Sequence, residues 1–253
     1  MSLNFSPNLN IFFKEVPFAD RIAKAGSLGF KQVEFWGWWD EDLNAIEKAA
    51  KTSGVTIAAF CTKFISLVDA SKRDEYIAAL KETIKVAAKL NCRTLISQVG
   101  DELPGVPRSE QHASLVAGLA AAAPLLAEAG VTLTIEPLNL LVDHAGYYLA
   151  RSDEAFDAVR KVNSPYVKVL FDIYHQQITE GNLINNIREG APWIGHYHIA
   201  DNPGRCEIGT GEINYPNVLK AIEETGYKGY IGVELFPKHG SDDAALQGVL
   251  KLA

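Results

Sequence analysis

Four acidic or imidazole side chains stand at corresponding points in the second half of the sequence. Each follows or interrupts a short apolar run: Glu136 after V-T-L-T-I, Asp172 after V-K-V-L-F, His198 within I-G-H-Y-H-I and Glu234 within Y-I-G-V-E-L. Carboxylate oxygens with one imidazole nitrogen are a donor set that hard or borderline divalent cations accept. Carboxylates brought together without a cation would repel one another. The four residues are therefore candidate ligands of a divalent metal ion.

The elements that would position these residues follow a regular order along the chain. Short β-branched or aromatic runs alternate with longer segments of helical period. Strands are predicted near residues 11, 34, 58, 95, 134, 170, 197 and 233. Helices are predicted over 17–28, 40–53, 73–90, 109–129, 153–163, 180–190, 214–226 and 241–252.

This alternation predicts parallel strands joined by right-handed crossovers. Eight strand-helix units in 253 residues suit an α/β fold of the closed (β/α)8 type, a TIM barrel, with residues 1–253 forming a single domain. A doubly wound open sheet is the structural alternative. The absence of G-x-G-x-x-G after the first predicted strand disfavours it.

The parity of the last four strands predicts where the candidate ligands point. Alternate strand residues face the barrel interior, and the active sites of such barrels lie at the carboxyl ends of the strands. In V-T-L-T-I-E the apolar residues face the helices, so Glu136 ends strand five on the inside. The same argument turns Asp172, His198 and Glu234 inward at the ends of strands six to eight. His196 faces the interior one layer below and is interpreted as a supporting histidine.

Four motifs resemble the hydroxypyruvate isomerase family. They are I-E-P-L-N (135–139), F-D-I-Y-H (171–175), G-H-Y-H-I-A-D-N-P-G-R-C-E-I-G-T-G-E-I-N-Y (195–215) and G-V-E-L-F (232–236). The family belongs to the xylose isomerase-like group of TIM barrels, which also holds the ketose 3-epimerases and endonuclease IV. Many family members carry Thr-Arg after E-P-L-N, where this chain has Leu140 and Leu141. The loop after strand three also lacks the family's G-D-W and G-x-R-G-rich pattern.

The resemblance implies roles for individual residues. The family's metal ligands match Glu136, Asp172, His198 and Glu234. Glu136 and Glu234 also match its paired acid-base glutamates, while His175 and Arg205 match positions that contact substrate oxygens. A loop-stabilising salt bridge with Glu207 or Glu212 is the structural alternative for Arg205. The metal implied is Mg²⁺ or Mn²⁺, with Co²⁺ or Zn²⁺ as alternatives. Further candidates near the same rim, for which structural roles are equally open, are Glu34, Trp36, Trp38, Trp39, Lys63 and His144.

The implied activity is metal-dependent aldose-ketose isomerisation of a small hydroxy-oxo acid or short sugar through a cis-enediolate. Hydroxypyruvate, converted to tartronate semialdehyde, is the first candidate substrate. A ketose 3-epimerase of the tagatose or psicose type is the alternative within the enzymes. A DNA repair enzyme resembling endonuclease IV and a non-catalytic metabolite binder are the remaining hypotheses.

The amino-acid composition limits the kinds of molecule that this protein is expected to bind. The chain has 24 basic and 31 acidic residues and a net charge of -7, which disfavours nucleic-acid binding. Three cysteines without a C-x-x-C motif predict free thiols in a reducing compartment. The longest apolar stretch, 115–127, is shorter than the roughly 18 to 20 residues of a membrane span, and no secretory signal is recognised. We therefore expect a cytoplasmic enzyme with a small-molecule substrate and no membrane partner, and assembly into a homo-oligomer is left open.

Overall fold

Eight parallel strands surround the centre of the molecule in the computed structural model, which describes residues 3–252. The strands are β1 Asn4–Pro7, β2 Gln32–Phe35, β3 Thr56–Cys61, β4 Thr94–Ser97, β5 Thr132–Ile135, β6 Val167–Asp172, β7 Ile194–Ile199 and β8 Tyr230–Val233. Every sequential pair from β2 to β8 is hydrogen-bonded, and β8 also pairs with β1. A bridge between Asn8 and Glu34 brings β1 beside β2. The predicted barrel is confirmed, and the doubly wound alternative is wrong.

Helices cover the outside of the barrel. They are α1 Asp20–Ser27, α2 Leu43–Ser53, α3 Arg73–Leu90, α4 Arg108–Ala129, α5 Ser152–Val162, α6 Ile173–Thr179, α7 Leu183–Gly190, α8 Tyr215–Glu224 and α9 Asp242–Leu250. Gly54 and Gly130 cap α2 and α4 with φ of 70° and 62°, a left-handed conformation in which glycine has no Cβ penalty. These two glycines were predicted helix ends, and each leads directly into the next strand.

The first strand differs from the prediction. The run L-N-I-F-F at 9–13 was predicted as a strand, but β1 is Asn4–Pro7. The backbone N–H groups of Ile11 and Phe12 both donate to the carbonyl of Asn8, at 3.0 and 3.2 Å, so the chain turns there. Phe12 and Phe13 are buried completely all the same. These aromatic side chains pack in the core between the strands and the helices, and they do not belong to a strand.

The region after β6 contains one more helix than predicted. Helix α6 begins inside the F-D-I-Y-H motif, directly after the strand. The helix predicted over 180–190 begins only at Leu183, because Gly181 and Asn182 adopt left-handed φ values of 62° and 51°. The two left-handed residues separate α6 from α7.

Helix α4 is long and apolar. The apolar stretch was expected to be shorter than a membrane span, but the 22 residues of α4 meet the length and hydropathy of one, a test that the core helix of a soluble protein also passes. Leu115, Leu119, Ala122 and Leu126 are completely buried and line one face of the helix. This face packs into the hydrophobic core of the barrel. The three cysteines, Cys61, Cys92 and Cys206, are free and buried, as predicted.

The packing of α7 against α5 depends on a glycine. A Cβ at Gly190 would lie 2.2 Å from Cζ of Phe156, which is closer than atoms can approach. We expect Gly190→Ala to lower the free energy of unfolding by about 1 to 3 kcal/mol, the usual cost of overpacking. Denaturant unfolding followed by circular dichroism measures this change.

Gly248→Ala is the matched control. Gly248 lies in α9 with nothing within 4 Å of an added Cβ, so alanine there is expected to stabilise by roughly 0.5 to 1 kcal/mol. Equal stability of the Gly190→Ala variant and the parent would contradict the close packing described.

Candidate active site

The four candidate ligands meet at the carboxyl end of the barrel. Nδ1 of His198 lies 3.5 Å from Oε1 of Glu136, 3.8 Å from Oδ2 of Asp172 and 3.6 Å from Oε2 of Glu234. All four side chains are buried, with exposed fractions between 1% and 6%. They come from the ends of β5, β6, β7 and β8, as the strand parity predicted.

The donor atoms of this cluster fit a divalent cation. Nδ1 of His198 is buried and makes no hydrogen bond, although three carboxylates surround it. Glu136, Asp172 and His198 each offer a ligand atom, and these atoms lie within 4.8 Å of one another. A buried polar nitrogen without a partner is costly, and so are carboxylates that face one another. A cation bound among them would remove both costs.

The electrostatics of the cluster agree with this fit. Burial, together with the charges of Glu234 and Asp172, raises the pKa of Glu136 to about 7 against the opposing effect of His198. Burial lowers the pKa of His198, but the charges of Glu234 and Glu34 outweigh it and raise the pKa well above its usual range. Burial is the largest cause of the Glu136 shift, and neighbouring carboxylates contribute to the raised pKa of both groups. A metal ion would balance the negative charge of those carboxylates.

Glu234 is held by three side chains from distant parts of the sequence. Its Oε1 accepts hydrogen bonds from Nδ2 of Asn8 at 2.8 Å and from Nε1 of Trp36 at 2.7 Å. Its Oε2 accepts from Nη2 of Arg205 at 2.6 Å. Sequence reasoning missed Asn8, which is the residue after β1, because that strand was assigned to the wrong segment. Trp36 was recognised only as part of an aromatic rim.

Asp172 connects the cluster to α6. Its Oδ1 accepts a hydrogen bond of 3.0 Å from the backbone N–H of His175, so that Asp172 is the N-cap of the helix. Its Oδ2 faces His198. One carboxylate therefore serves both the helix and the site.

His175, on α6, presents a defined nitrogen to the cavity. Its Nδ1 accepts hydrogen bonds from the backbone N–H and the side-chain amide of Asn139, at 3.3 and 2.7 Å. Burial and the charge of Arg205 lower the pKa of His175 well below its usual range. The imidazole is neutral with its proton on Nε2, which is buried and without a hydrogen-bond partner. Nε2–H can donate to a substrate oxygen.

Arg205 is hydrogen-bonded to Glu234. Its Nε donates to the backbone carbonyl of Glu234 at 3.1 Å, and its Nη2 donates to the Glu234 carboxylate. The rings of Tyr174 and Phe236 lie 5.5 and 5.9 Å from the guanidinium carbon. A loop salt bridge with Glu207 or Glu212 was the structural alternative, but the guanidinium pairs with Glu234 instead.

Asp201 fixes the loop that carries Arg205. Its carboxylate accepts hydrogen bonds from the backbone N–H groups of Asn202, Gly209, Gly211 and Ile213, at 2.7 to 3.2 Å. Arg205 itself has a φ of 53°. The loop is therefore held from within, and the guanidinium is presented to Glu234 by a preformed turn.

A cavity of about 240 Å³ opens above the cluster. Its charged and imidazole lining consists of Glu136, His175, His198, Arg205 and Glu234. The remaining lining includes Trp36, Cys61, Phe64, Ile96, Gln98 and Leu138. His144 also lines it, with its ring 5.3 Å from that of His175. Lys63, the other cation considered for this rim, pairs with Glu82 at 2.8 Å.

Comparison with known proteins places the chain among relatives of the same architecture. A family model described as xylose isomerase-like TIM barrel matches residues 22–252. The chain belongs to the xylose isomerase-like TIM barrel family. This assignment confirms the group that the four sequence motifs indicated.

Several members of the xylose isomerase-like family are similar over nearly the full chain. Hydroxypyruvate isomerase of Escherichia coli is 34% identical over 93% of this chain and 94% of that protein. A 2-oxo-tetronate isomerase of Cupriavidus necator is 30% identical over 94% of both. A crystal structure from Brucella melitensis described as an AP endonuclease of family 2 is 31% identical, with a TM-score of 0.92 over 97% of both chains. The named curated relatives are isomerases, so the predicted enzyme class is confirmed.

Beneath the cluster, this xylose isomerase-like barrel holds a buried carboxylate. Oε2 of Glu34 accepts from Oγ of Ser6 at 2.9 Å and lies 3.1 Å from Nε2 of His196, while Oε1 lies 3.1 Å from Nε2 of His198. Burial raises the pKa of Glu34, but the two histidines lower it to about 2. A Cβ at Gly232 would lie 2.3 Å from Oε1 of Glu34, so glycine leaves the space it needs. Glu34 therefore holds His196 by a hydrogen bond and lies at ion-pair distance from His198.

Proposed function

We propose that the chain is a metal-dependent isomerase that moves a carbonyl group between adjacent carbons of a short hydroxy-carbonyl compound. The observation that carries the proposal is the convergence of Glu136, Asp172, His198 and Glu234 beside one small cavity. The relatives named hydroxypyruvate isomerase and 2-oxo-tetronate isomerase support the reaction class. Hydroxypyruvate, which would become tartronate semialdehyde, is the first candidate from these names.

The four clustered side chains would hold the metal ion. Their oxygen-rich set favours Mg²⁺ or Mn²⁺, with Co²⁺ or Zn²⁺ as alternatives. When bound, such an ion stabilises the negative charge that develops on oxygen as a carbon-bound proton leaves. Glu34 would keep His198 oriented toward it through the other ring nitrogen.

The proton transfers fall to the two glutamates. A proton leaves the hydroxyl-bearing carbon, and the electrons of that C–H bond form the double bond of a cis-enediolate. A proton then adds to the former carbonyl carbon, and the hydroxyl proton passes to the former carbonyl oxygen, so that carbonyl and hydroxyl exchange places with no net change in atoms or electrons. Glu136 and Glu234 come from strands separated by β6 and β7, and they approach a bound substrate from two sides. Nε2–H of His175 donates to a substrate oxygen.

Proton exchange with solvent tests the proposal. Protein loaded with Mn²⁺ or Mg²⁺ is incubated in D₂O with hydroxypyruvate and, separately, with fructose and tagatose, and the products are followed by NMR. Deuterium on the former carbonyl carbon of an isomerised product supports the isomerase. Inversion at C3 of a ketose would establish the epimerase alternative. Absence of both exchange and product with short hydroxy-ketones and acids alike would refute the proposal.

Glu34 offers a separate test of the metal centre. We expect Glu34→Gln to weaken Mn²⁺ binding by about 10- to 100-fold, the usual effect of removing a carboxylate that orients a histidine ligand. Isothermal titration calorimetry, or the electron paramagnetic resonance signal of free Mn²⁺, measures the affinity without turnover.

Glu82→Gln is the matched control, since Glu82 is exposed and pairs with Lys63 on the surface. Its Mn²⁺ affinity is expected to equal that of the parent protein. Parental affinity in the Glu34→Gln variant would show that the buried carboxylate does not support the ligand.

A further inference from the structure

We propose that Cys206, Glu207 and His239 form a second metal site, separate from the cluster around His198, which takes a thiolate-accepting divalent ion such as Zn²⁺. Sγ of Cys206, a carboxylate oxygen of Glu207 and a ring nitrogen of His239 lie within 4.8 Å of one another. Cys206 and Glu207 belong to the loop between β7 and α8, and His239 belongs to the segment between β8 and α9. The inference does not depend on the proposed isomerase activity.

Backbone hydrogen bonds join the two segments that carry these residues. The backbone N–H of Phe236 donates to the carbonyl of Arg205 at 2.7 Å. Oε1 of Glu207 accepts from the backbone N–H groups of Lys238 and His239, at 2.8 and 2.7 Å. The carboxylate of Glu207 is thereby fixed at the junction, directly beside the residue that supplies the imidazole.

The second carboxylate oxygen of Glu207 has no donor. Oε2 is buried and makes no hydrogen bond. Burial raises the pKa of Glu207, but hydrogen bonds from backbone N–H groups, foremost that of His239, outweigh it and lower the pKa below its usual range. A buried carboxylate oxygen without a donor is costly. A cation beside Oε2 would remove this cost.

Cys206 supplies a soft ligand atom to the same place. Its side chain is buried, and Sγ lies 3.2 Å from Oγ1 of Thr210 and 3.4 Å from the backbone carbonyl of Pro203. On binding an ion, the thiol would release its proton to solvent. The thiolate and the Glu207 carboxylate then supply two negative charges, which match a divalent cation. His239 is exposed, so an ion can enter from solvent and water can take the fourth position.

The donor set distinguishes this site from the cluster around His198. Sulfur and imidazole ligands suit Zn²⁺ and Co²⁺, whereas the oxygen-rich cluster suits Mg²⁺ or Mn²⁺. Zn²⁺ bond lengths of about 2.0 to 2.3 Å in a tetrahedron separate the ligand atoms by roughly 3.3 to 3.8 Å. Rotation of the exposed His239 side chain can bring the three atoms to this spacing. Because Cys206 directly follows Arg205, the ion would also tie the loop that presents the guanidinium to the segment after β8.

Cobalt spectroscopy tests the site without turnover. Co²⁺ bound to a thiolate gives a charge-transfer band in the near ultraviolet, which Co²⁺ bound only to oxygen and nitrogen lacks. We expect the parent protein to develop this band on titration with Co²⁺ and the Cys206→Ser variant to lack it. Cys92→Ser is the matched control, since Sγ of Cys92 is also buried and donates to backbone carbonyls. Cys61→Ser is likewise expected to keep the band, which excludes the thiol that lines the cavity.

His239→Gln keeps the inference testable if Cys206→Ser disturbs the fold, because His239 is exposed. We expect it to weaken the Co²⁺ affinity measured from the band by at least about tenfold, since removal of a residue that merely orients a ligand already costs that much. Circular dichroism confirms that the variants fold. Absence of the band in the parent at saturating Co²⁺, its persistence in Cys206→Ser, its loss in Cys61→Ser or parental affinity in His239→Gln would each overturn the inference. None of these results bears on the isomerase proposal.

Discussion

Replacement of Glu136 or Glu234 with glutamine is expected to lower turnover by at least about a hundredfold, the contribution of a positioned acid-base group. Glutamine keeps the size of glutamate and a hydrogen-bonding side chain, but it can neither accept nor release the transferred proton. Turnover is measured by NMR with whichever substrate the metal-loaded protein converts fastest. Metal content is measured in the same samples, because both residues are also proposed ligands.

Two comparisons make this result interpretable. Glu82→Gln, on the outer surface, is expected to keep full turnover. Parental activity in either active-site variant, with the metal still bound, would refute the assignment of proton transfer to two carboxylates. Loss of the metal in a variant would instead assign the effect to ligation, and addition of excess Mn²⁺ distinguishes the two explanations.

Removal of the metal is the second change for which a large effect is expected. Chelation and dialysis should lower turnover by at least about a hundredfold, because the charge that develops on the substrate oxygens would lose its counter-ion. Mn²⁺ or Mg²⁺ should restore activity. Elemental analysis by mass spectrometry confirms removal and reloading.

Adding the metal back to the stripped protein also tests its effect on the stability of the fold. A metal present at about a hundred times its Kd adds roughly 2.7 kcal/mol to the free energy of unfolding if it binds only the native state. The thermal midpoint should therefore rise as Mn²⁺ is added to the stripped protein. Full activity in protein shown to be free of metal would contradict the proposed centre.

The barrel and the four clustered residues could be predicted because both follow from local periodicity. The alternation in V-T-L-T-I-E fixes which side of β5 faces the interior, and the same rule applies to β6, β7 and β8. β1 could not be predicted in this way. N-F-S-P has a weak strand pattern, whereas the aromatic run at 9–13 that follows it looks more like a strand and is buried for a different reason.

The contacts that support the cluster depend on tertiary structure. Asn8 and Glu234 are 226 residues apart, and only closure of the barrel makes them neighbours. Glu34 and His196 are likewise brought together from opposite parts of the chain. The partner of Arg205 was sought among nearby acids, Glu207 and Glu212, but the turn held by Asp201 directs it to Glu234. Periodicity specifies which side of a strand a residue occupies, but not its partner across the barrel.

Asp172 connects the stability of helix α6 with the binding of a ligand at the cluster. One oxygen caps helix α6 and the other faces His198, so we expect a ligand bound to this carboxylate to stabilise the first turn of α6. A ligand that immobilises the carboxylate reduces the entropy lost when the first turn of α6 forms, and an ordered α6 increases the affinity for that ligand to the same extent. His175 lies in that first turn. Binding at the proposed metal centre is therefore expected to favour the position from which His175 presents its N–H donor.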